Sequence, residues 1–378
     1  MSKITKLEVL PVSLKSTNWD QSTVVIKITD ENGVTGIGEA DGPTETIQAY
    51  INQDTAHCWS QNFTEMLIGR DPLELTANWD YMYNGTIWQG ARGLGLFAIS
   101  GIDMALYDLA GKQVNKPAYK LLGGAQRDEL TPYFTLYPSY SSDKPLFEQM
   151  SEWEELMGKA QDMGAKAFKL AIFAKDVSDS KLIKFIKKCR EFAGDDVDMM
   201  VDFLYRWRDP YAASNTLNKL QDVDLYFAEA VLQHDHMQAH RILAENTTTR
   251  ICGAEMATTR WECKQWIEEA KVAILQPDLN RAGGLTELRR IADMGELYGV
   301  QVMPHGWKTG ISAAAGCHFQ AAAKDATYFE FLHPELYDGP LRQHLVTPEP
   351  EVVDGHFVLP DAPGLGIELN EDFINTLH

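Results

Sequence analysis

Residues 276–305 read QPDLNRAGGLTELRRIADMGELYGVQVMPH. The stretch begins where an apolar run, VAIL, closes on Asp278. It passes through a helical segment over 287–297 and re-enters an apolar run, VQVM, that closes on His305. This is a strand–helix–strand unit with a polar group at each strand end. The same grammar continues in both directions. Asp202 (MMVDF), Glu229 (LYFAEA) and Glu255 (RICGAE) come before it and Glu330 (TYFEF) after it, at successive intervals of 27, 26, 23, 27 and 25 residues. Each interval holds a strand, a loop, a helix and a return loop. A polar group closing every strand at this period points to a site at the C-terminal face of a parallel β/α barrel.

Candidate strands at 131–137, 167–173, 197–203, 225–231, 249–255, 272–278, 300–305 and 327–331 are enough to close a barrel through right-handed crossovers. After residue 340 the helix that should follow the last strand is missing. The chain there is rich in Pro and Gly (LVTPEP, then GHFVLPDAPGLGIELN) and is expected to return to the first domain. The opening third follows other rules. Strands at 4–11, 22–29 and 34–38, the last two joined by the turn signal Asn32-Gly33, precede helices at about 44–57, 73–83 and 94–112. Residues 15–21 form a polar loop, and the aromatics Tyr81, Tyr83, Trp88 and Phe97 read as core. The predicted architecture is α/β: a modified TIM barrel, (β/α)7β, over 126–340. An α+β domain over 1–125 precedes it, and a C-terminal segment, 341–378, returns to that domain.

The balance of 34 Lys+Arg against 54 Asp+Glu gives a formal net charge of -20, which argues against nucleic acid and anionic membranes as partners. Five cysteines without close spacing (Cys58, Cys189, Cys252, Cys263, Cys317) read as reduced thiols. The opening MSKITKLEVL lacks a signal-peptide core, and no apolar run reaches the ~18–20 residues of a membrane span, so a cytoplasmic protein is expected.

A single acid at a strand end commonly caps a helix or pairs with a rim cation. Asp202, Glu229 and Glu255 end three successive strands and would share one space at the barrel mouth, where they repel one another unless a hard cation intervenes. An all-oxygen site with open positions suits Mg²⁺. Asp278 and His305 end the next two strands. A carboxylate beside an imidazole fixes its tautomer and raises its basicity, as a general base requires.

With these residues in view, the chain resembles the enolase superfamily in its mandelate racemase-like branch. The likeness rests on ARGLG (91–95), SGIDMALYDLAGK (100–112), LLGG (121–124), PGLGIEL (363–369) and the 276–305 run, and it covers essentially the whole length. It implies that Asp202, Glu229 and Glu255 hold Mg²⁺, that His305 and Asp278 are the base dyad, and that Glu330 is a hydrogen-bonding acid beside the developing enolate. It also implies a homo-oligomer, dimer to octamer, acting on a small-molecule acid. The domain over 1–125, completed by the tail, would be a capping domain supplying lid contacts from Lys15, Trp19, Trp88 and Arg92, and Trp307 and Lys308 would reach the substrate at the mouth.

The chain departs from the branch's pattern at three places. Lys169 in AFKLAIF matches the first lysine of the usual Lys-x-Lys, but Ala171 stands where the second would act as a base on the opposite substrate face. Lys166 is close by in sequence, but strand alternation leaves its direction open. Leu204 replaces an Asn after the first acid, and Ala230-Val231 replaces Glu-Pro after the second. His234 and His236 read as loop polar residues or as an accessory contact. One-base chemistry suits dehydration of a sugar acid, an aldonate or aldarate, to a 2-keto-3-deoxy acid. Alternatives are a cycloisomerase of a sugar-acid lactone or anhydro acid, or an epimerase, through the same enediolate. A non-catalytic acid-sugar-binding relative is a lesser one.

Overall fold

In the computed structural model, residues 2–14, 21–90, 92–138, 144–173 and 177–377 are described. Lys15 and Trp19 therefore lie outside the described residues. The N-terminal part is an antiparallel sheet of β1 (Ile4–Leu14), β2 (Gln21–Asp30) and β3 (Thr35–Ala40), in that order. Helices α1 (Thr44–Asn52), α2 (Phe63–Leu67), α3 (Leu75–Gly85) and α4 (Leu94–Val114) follow. Helix α4 is apolar on nearly all sides because it lies between the sheet and the barrel, the environment in which such a helix is stable. By length and composition it could cross a bilayer, contrary to the sequence expectation, but it is almost wholly buried inside the protein. Its approach to β3 depends on Gly38, where a Cβ would sit 2.0 Å from the Gly101 carbonyl oxygen.

The short α5 (Ala118–Leu121) leads to eight strands: β4 (Thr131–Leu136), β5 (Ala167–Ala171), β6 (Asp198–Asp202), β7 (Leu225–Glu229), β8 (Cys252–Gly253), β9 (Ile274–Leu275), β10 (Gln301–Val302) and β11 (Tyr328–Phe331). They pair in parallel, β11-β4-β5-β6-β7 and β8-β9-β10, with an Ala228–Ile251 bridge joining the two runs. Between them run α6 (Met150–Asp162), α7 (Asp179–Ala193), α8 (Pro210–Asn218), α9 (Met237–Glu245), α10 (Thr259–Gln265), α11 (Gly284–Tyr298) and α12 (Gly310–Ala322). One buried cluster takes a residue from every strand or its immediate end: Tyr133, Ala167, Met200, Phe227, Cys252, Ile274, Met303 and Tyr328. This is a packed layer inside the barrel.

In place of a full helix after the last strand there is only the five-residue α13 (Pro340–His344). The tail then returns to the capping domain. Asp108 of α4 collects it there, accepting hydrogen bonds from the Ile37 and Leu365 amides (both 2.8 Å) and pairing with Lys112 at 3.0 Å. Lys27 and Lys112 also pair with Glu371 and Glu368 of the tail. Two of the four aromatics expected in the core are exposed: Tyr81 and Trp88, the latter stacked on Trp59 at 5.0 Å.

Candidate active site

Strand side chains alternate, so two residues beyond the packed layer the chain again points into the barrel. Those positions are Thr135, Lys169, Asp202, Glu229, Ala254, Gln276, His305 and Glu330. An apolar layer is thus capped by a polar one. The register sets Ala171, Asp202 and Glu229 side by side at the ends of β5, β6 and β7. Glu255 falls one residue out of phase, and the left-handed backbone of Ala254 (φ 79) precedes it. Left-handed residues without a glycine are uncommon. Here Leu204 (φ 51), Tyr205 (φ 58), Ala230 (φ 45) and Ala254 all adjoin one of the three acids.

Lys169 is the buried hub of the site. Its Nζ lies 2.7 Å from Glu229 Oε2 and 2.7 Å from Glu330 Oε1. Burial alone would favour the neutral amine, but the two carboxylates outweigh it and hold the pKa well above the usual lysine range. Lys169 is a fixed cation. Glu330 also accepts from Thr135 Oγ1 (2.5 Å) and the Gly306 amide (3.1 Å). Burial opposes its charge, yet Lys169 and His305 lower its pKa to about 2.

His305 Nδ1 is 2.5 Å from Asp278 Oδ2, and Asp278 Oδ1 accepts from the Asn280 amide at 2.6 Å. His305 Nε2 stands 3.7 Å from Glu330 Oε2 and 3.9 Å from Glu255 Oε2. Burial disfavours the imidazolium, but Glu330, Asp278 and Glu255 raise the pKa to about 10.

The acids fit a cation. Among the described residues Glu229 Oε1 is buried with no hydrogen-bond partner, while its Oε2 accepts from Lys169 and from Gln276 Nε2 (2.9 Å). Ligand atoms of Glu229, Glu255 and His305 lie within 4.8 Å of one another. Asp202 stands outside that group, its Oδ1 turned to the Leu204 amide at 2.8 Å. Burial and the adjacent Glu229 push the Asp202 carboxyl well above its usual range. Hard oxygen donors of this kind suit Mg²⁺ better than they suit softer metals.

Lys166 is exposed, and its carbonyl pairs with Asp198 at the far end of β5, away from the acids. Lys308 is committed to Asp41 of the capping domain at 2.6 Å, and Arg92 is half-exposed and pairs with Glu262 at 2.9 Å. Trp307 and Lys308 border a cavity of about 210 Å³ with Gln21, Ser22 and Tyr337. His234 packs on Trp266, with ring centroids 4.9 Å apart. Three further site contacts come from Thr135, Gln276 and Tyr205, the last donating its phenol to Glu255 Oε1. Interior parity could have found Thr135 and Gln276; no sequence signal marks Tyr205.

Residues 3–123 match the mandelate racemase/muconate lactonizing enzyme N-terminal domain, and residues 152–373 match the enolase C-terminal domain-like family. The chain is 32% identical to an arabinonate dehydratase of Saccharolobus solfataricus, covering 92% of this chain and 88% of the relative. It is 30% identical to a D-galactarolactone cycloisomerase of Agrobacterium fabrum, covering 96% and 93%. A crystal structure named provisionally as a racemase superposes with a TM-score of 0.96 at 53% identity, covering 99% of this chain and 97% of the other. With both domains matched and the whole length shared, the chain belongs to the mandelate racemase/muconate lactonizing enzyme family of the enolase superfamily.

Proposed function

We propose that the protein is a Mg²⁺-dependent dehydratase of an acid sugar, an aldonate or aldarate, producing a 2-keto-3-deoxy acid. The observation that carries it is the one-sided disposition of bases. His305, oriented by Asp278, stands at one wall of the site, and the strand position next to Asp202 on the other side is Ala171. Alanine cannot take or return a proton, so among the described residues a lysine–histidine racemisation across the substrate plane lacks a second base at this strand position.

In this proposal Asp202, Glu229 and Glu255 hold the metal. When bound, Mg²⁺ would polarise the substrate carboxylate and offset the carboxylates that otherwise keep His305 protonated. The Nδ1 hydrogen bond to Asp278 leaves Nε2 as the atom that accepts the proton α to the carboxylate. The same nitrogen then returns that proton to the β-hydroxyl as the Cβ–O bond breaks, so water leaves and the enol tautomerises to the keto acid. Lys169 stays charged and keeps Glu229 and Glu330 in place.

Elimination of a ring oxygen, the cycloisomerase alternative, uses the same first step. It is favoured by the names of two relatives, the D-galactarolactone cycloisomerase and a 3,6-anhydro-D-galactonate cycloisomerase of Zobellia galactanivorans, whose structure is 28% identical with a TM-score of 0.87. A panel of aldonates, aldarates, lactones and anhydro acids, assayed with Mg²⁺ or EDTA, tests the proposal. It expects 2-keto acid from one or more open-chain acids with Mg²⁺ only. Turnover confined to lactones or anhydro acids would replace it with the alternative.

A further inference from the structure

Tyr205 is not a strand-end residue and has no part in the chemistry above, yet it lies in the loop after Asp202 and bonds both to the loop after Glu229 and to Glu255 itself. Its phenol donates to Glu255 Oε1. Its amide donates to the carbonyl of Ala230, next to Glu229, at 2.5 Å. Its carbonyl accepts from Gln233 Nε2 at 3.1 Å, and the preceding Leu204 amide donates to Asp202 at 2.8 Å. This placement uses two consecutive left-handed, non-glycine residues, Leu204 and Tyr205. L-residues resist that conformation, and where it persists the surroundings must over-determine it.

We infer that Tyr205 is a positioning residue that sets the coordination mode of Glu255 and thereby the preference of the site for Mg²⁺ over Ca²⁺. The inference rests on the reading that Glu255 is a metal ligand. The phenol occupies Oε1 and leaves Oε2 as the oxygen turned toward His305 Nε2, 3.9 Å away. A carboxylate with one oxygen engaged in this way offers a cation a single donor. Mg²⁺ is small and demands near-octahedral geometry, to which single-oxygen carboxylates are suited. Ca²⁺ takes six to eight oxygens and accepts carboxylates through both. Partners that orient a ligand commonly govern affinity by 10–100-fold.

The test uses the purified, metal-free full chain and its Tyr205→Phe variant, titrated calorimetrically with Mg²⁺ alone and with Ca²⁺ alone. Phenylalanine fills the same space without the hydroxyl, so the metal-free melting temperature serves as the check that the fold is kept. Tyr205→Phe is expected to weaken Mg²⁺ binding roughly tenfold. Ca²⁺ binding should fall less or rise, so that the ratio of the two affinities moves toward Ca²⁺ by about threefold or more. An unchanged Mg²⁺ affinity, or an equal loss for both ions, would overturn the inference and leave the metal site standing. If the wild-type chain itself binds no Mg²⁺, the metal reading fails, and this inference with it.

Discussion

Asp41→Asn probes how the capping domain is held over the barrel. Asp41 follows β3 and is almost fully buried. Its Oδ1 lies 2.6 Å from Lys308 Nζ, its Oδ2 2.5 Å from both Nε and Nη2 of Arg281, and Oδ1 also accepts from the Gly42 amide at 2.8 Å. The substitution keeps shape and removes the charge. Breaking a buried pair by deleting one partner costs about 3–5 kcal/mol. Lys308 and Arg281 keep 16% and 25% of their side-chain surface exposed, so water can recover part of that, and about 2–3 kcal/mol is expected. With a urea m-value of ~3 kcal/mol/M, the unfolding midpoint at pH 7 should fall by roughly 0.7–1 M.

The pH dependence supplies a second check. Burial would raise the Asp41 pKa, but Lys308 and Arg281 outweigh it and hold the carboxyl well below the usual range. A carboxyl depressed in the folded state stabilises fully above its unfolded pKa, about 4, and the contribution fades as pH falls further toward the folded value. The gap between wild type and Asp41→Asn should therefore be constant from pH 8 to 5 and narrow below about pH 4. A midpoint shift below about 0.2 M at pH 7, or a gap that widens on acidification, would refute the reasoning.

Three other outcomes are expected. Lys169→Met leaves Glu229 and Glu330 buried without their shared cation, and should cost about 3–5 kcal/mol in urea denaturation of the metal-free protein; an unchanged midpoint would contradict the hub role. Gly38→Ala drives a Cβ into the Gly101 carbonyl of α4 and should lower stability by about 3 kcal/mol, read as a drop in melting temperature. His305→Asn should reduce turnover by at least ~10²–10⁴-fold while calorimetry shows Mg²⁺ affinity within a few-fold of wild type. Loss of metal binding in that variant would make His305 a ligand rather than the base.

Much of the site was legible because a barrel strand is an apolar run that must end at the mouth, so one polar residue closing each run stands out. That logic reached Asp202, Glu229, Glu255, Asp278, His305 and Glu330. It could not give the partners of Lys308, whose fate is set by Asp41, 267 positions away in the chain. Nor could it reach Tyr205, whose role depends on two backbone conformations that its local sequence does not advertise. Trp88 looked like core by composition alone but stacks on Trp59 at the surface, a partnership between separate segments. Helix α4 carried no polar stripe, and only the structure shows it covered on both sides by sheet and barrel.

Proton NMR in D₂O with Mg²⁺ and a turned-over acid sugar tests the one-base account most directly. The expected product is a 2-keto-3-deoxy acid carrying solvent deuterium at C3, with remaining substrate of unchanged configuration. Accumulation of an epimer deuterated at the α-carbon, without loss of water, would contradict it and require a second base opposite His305.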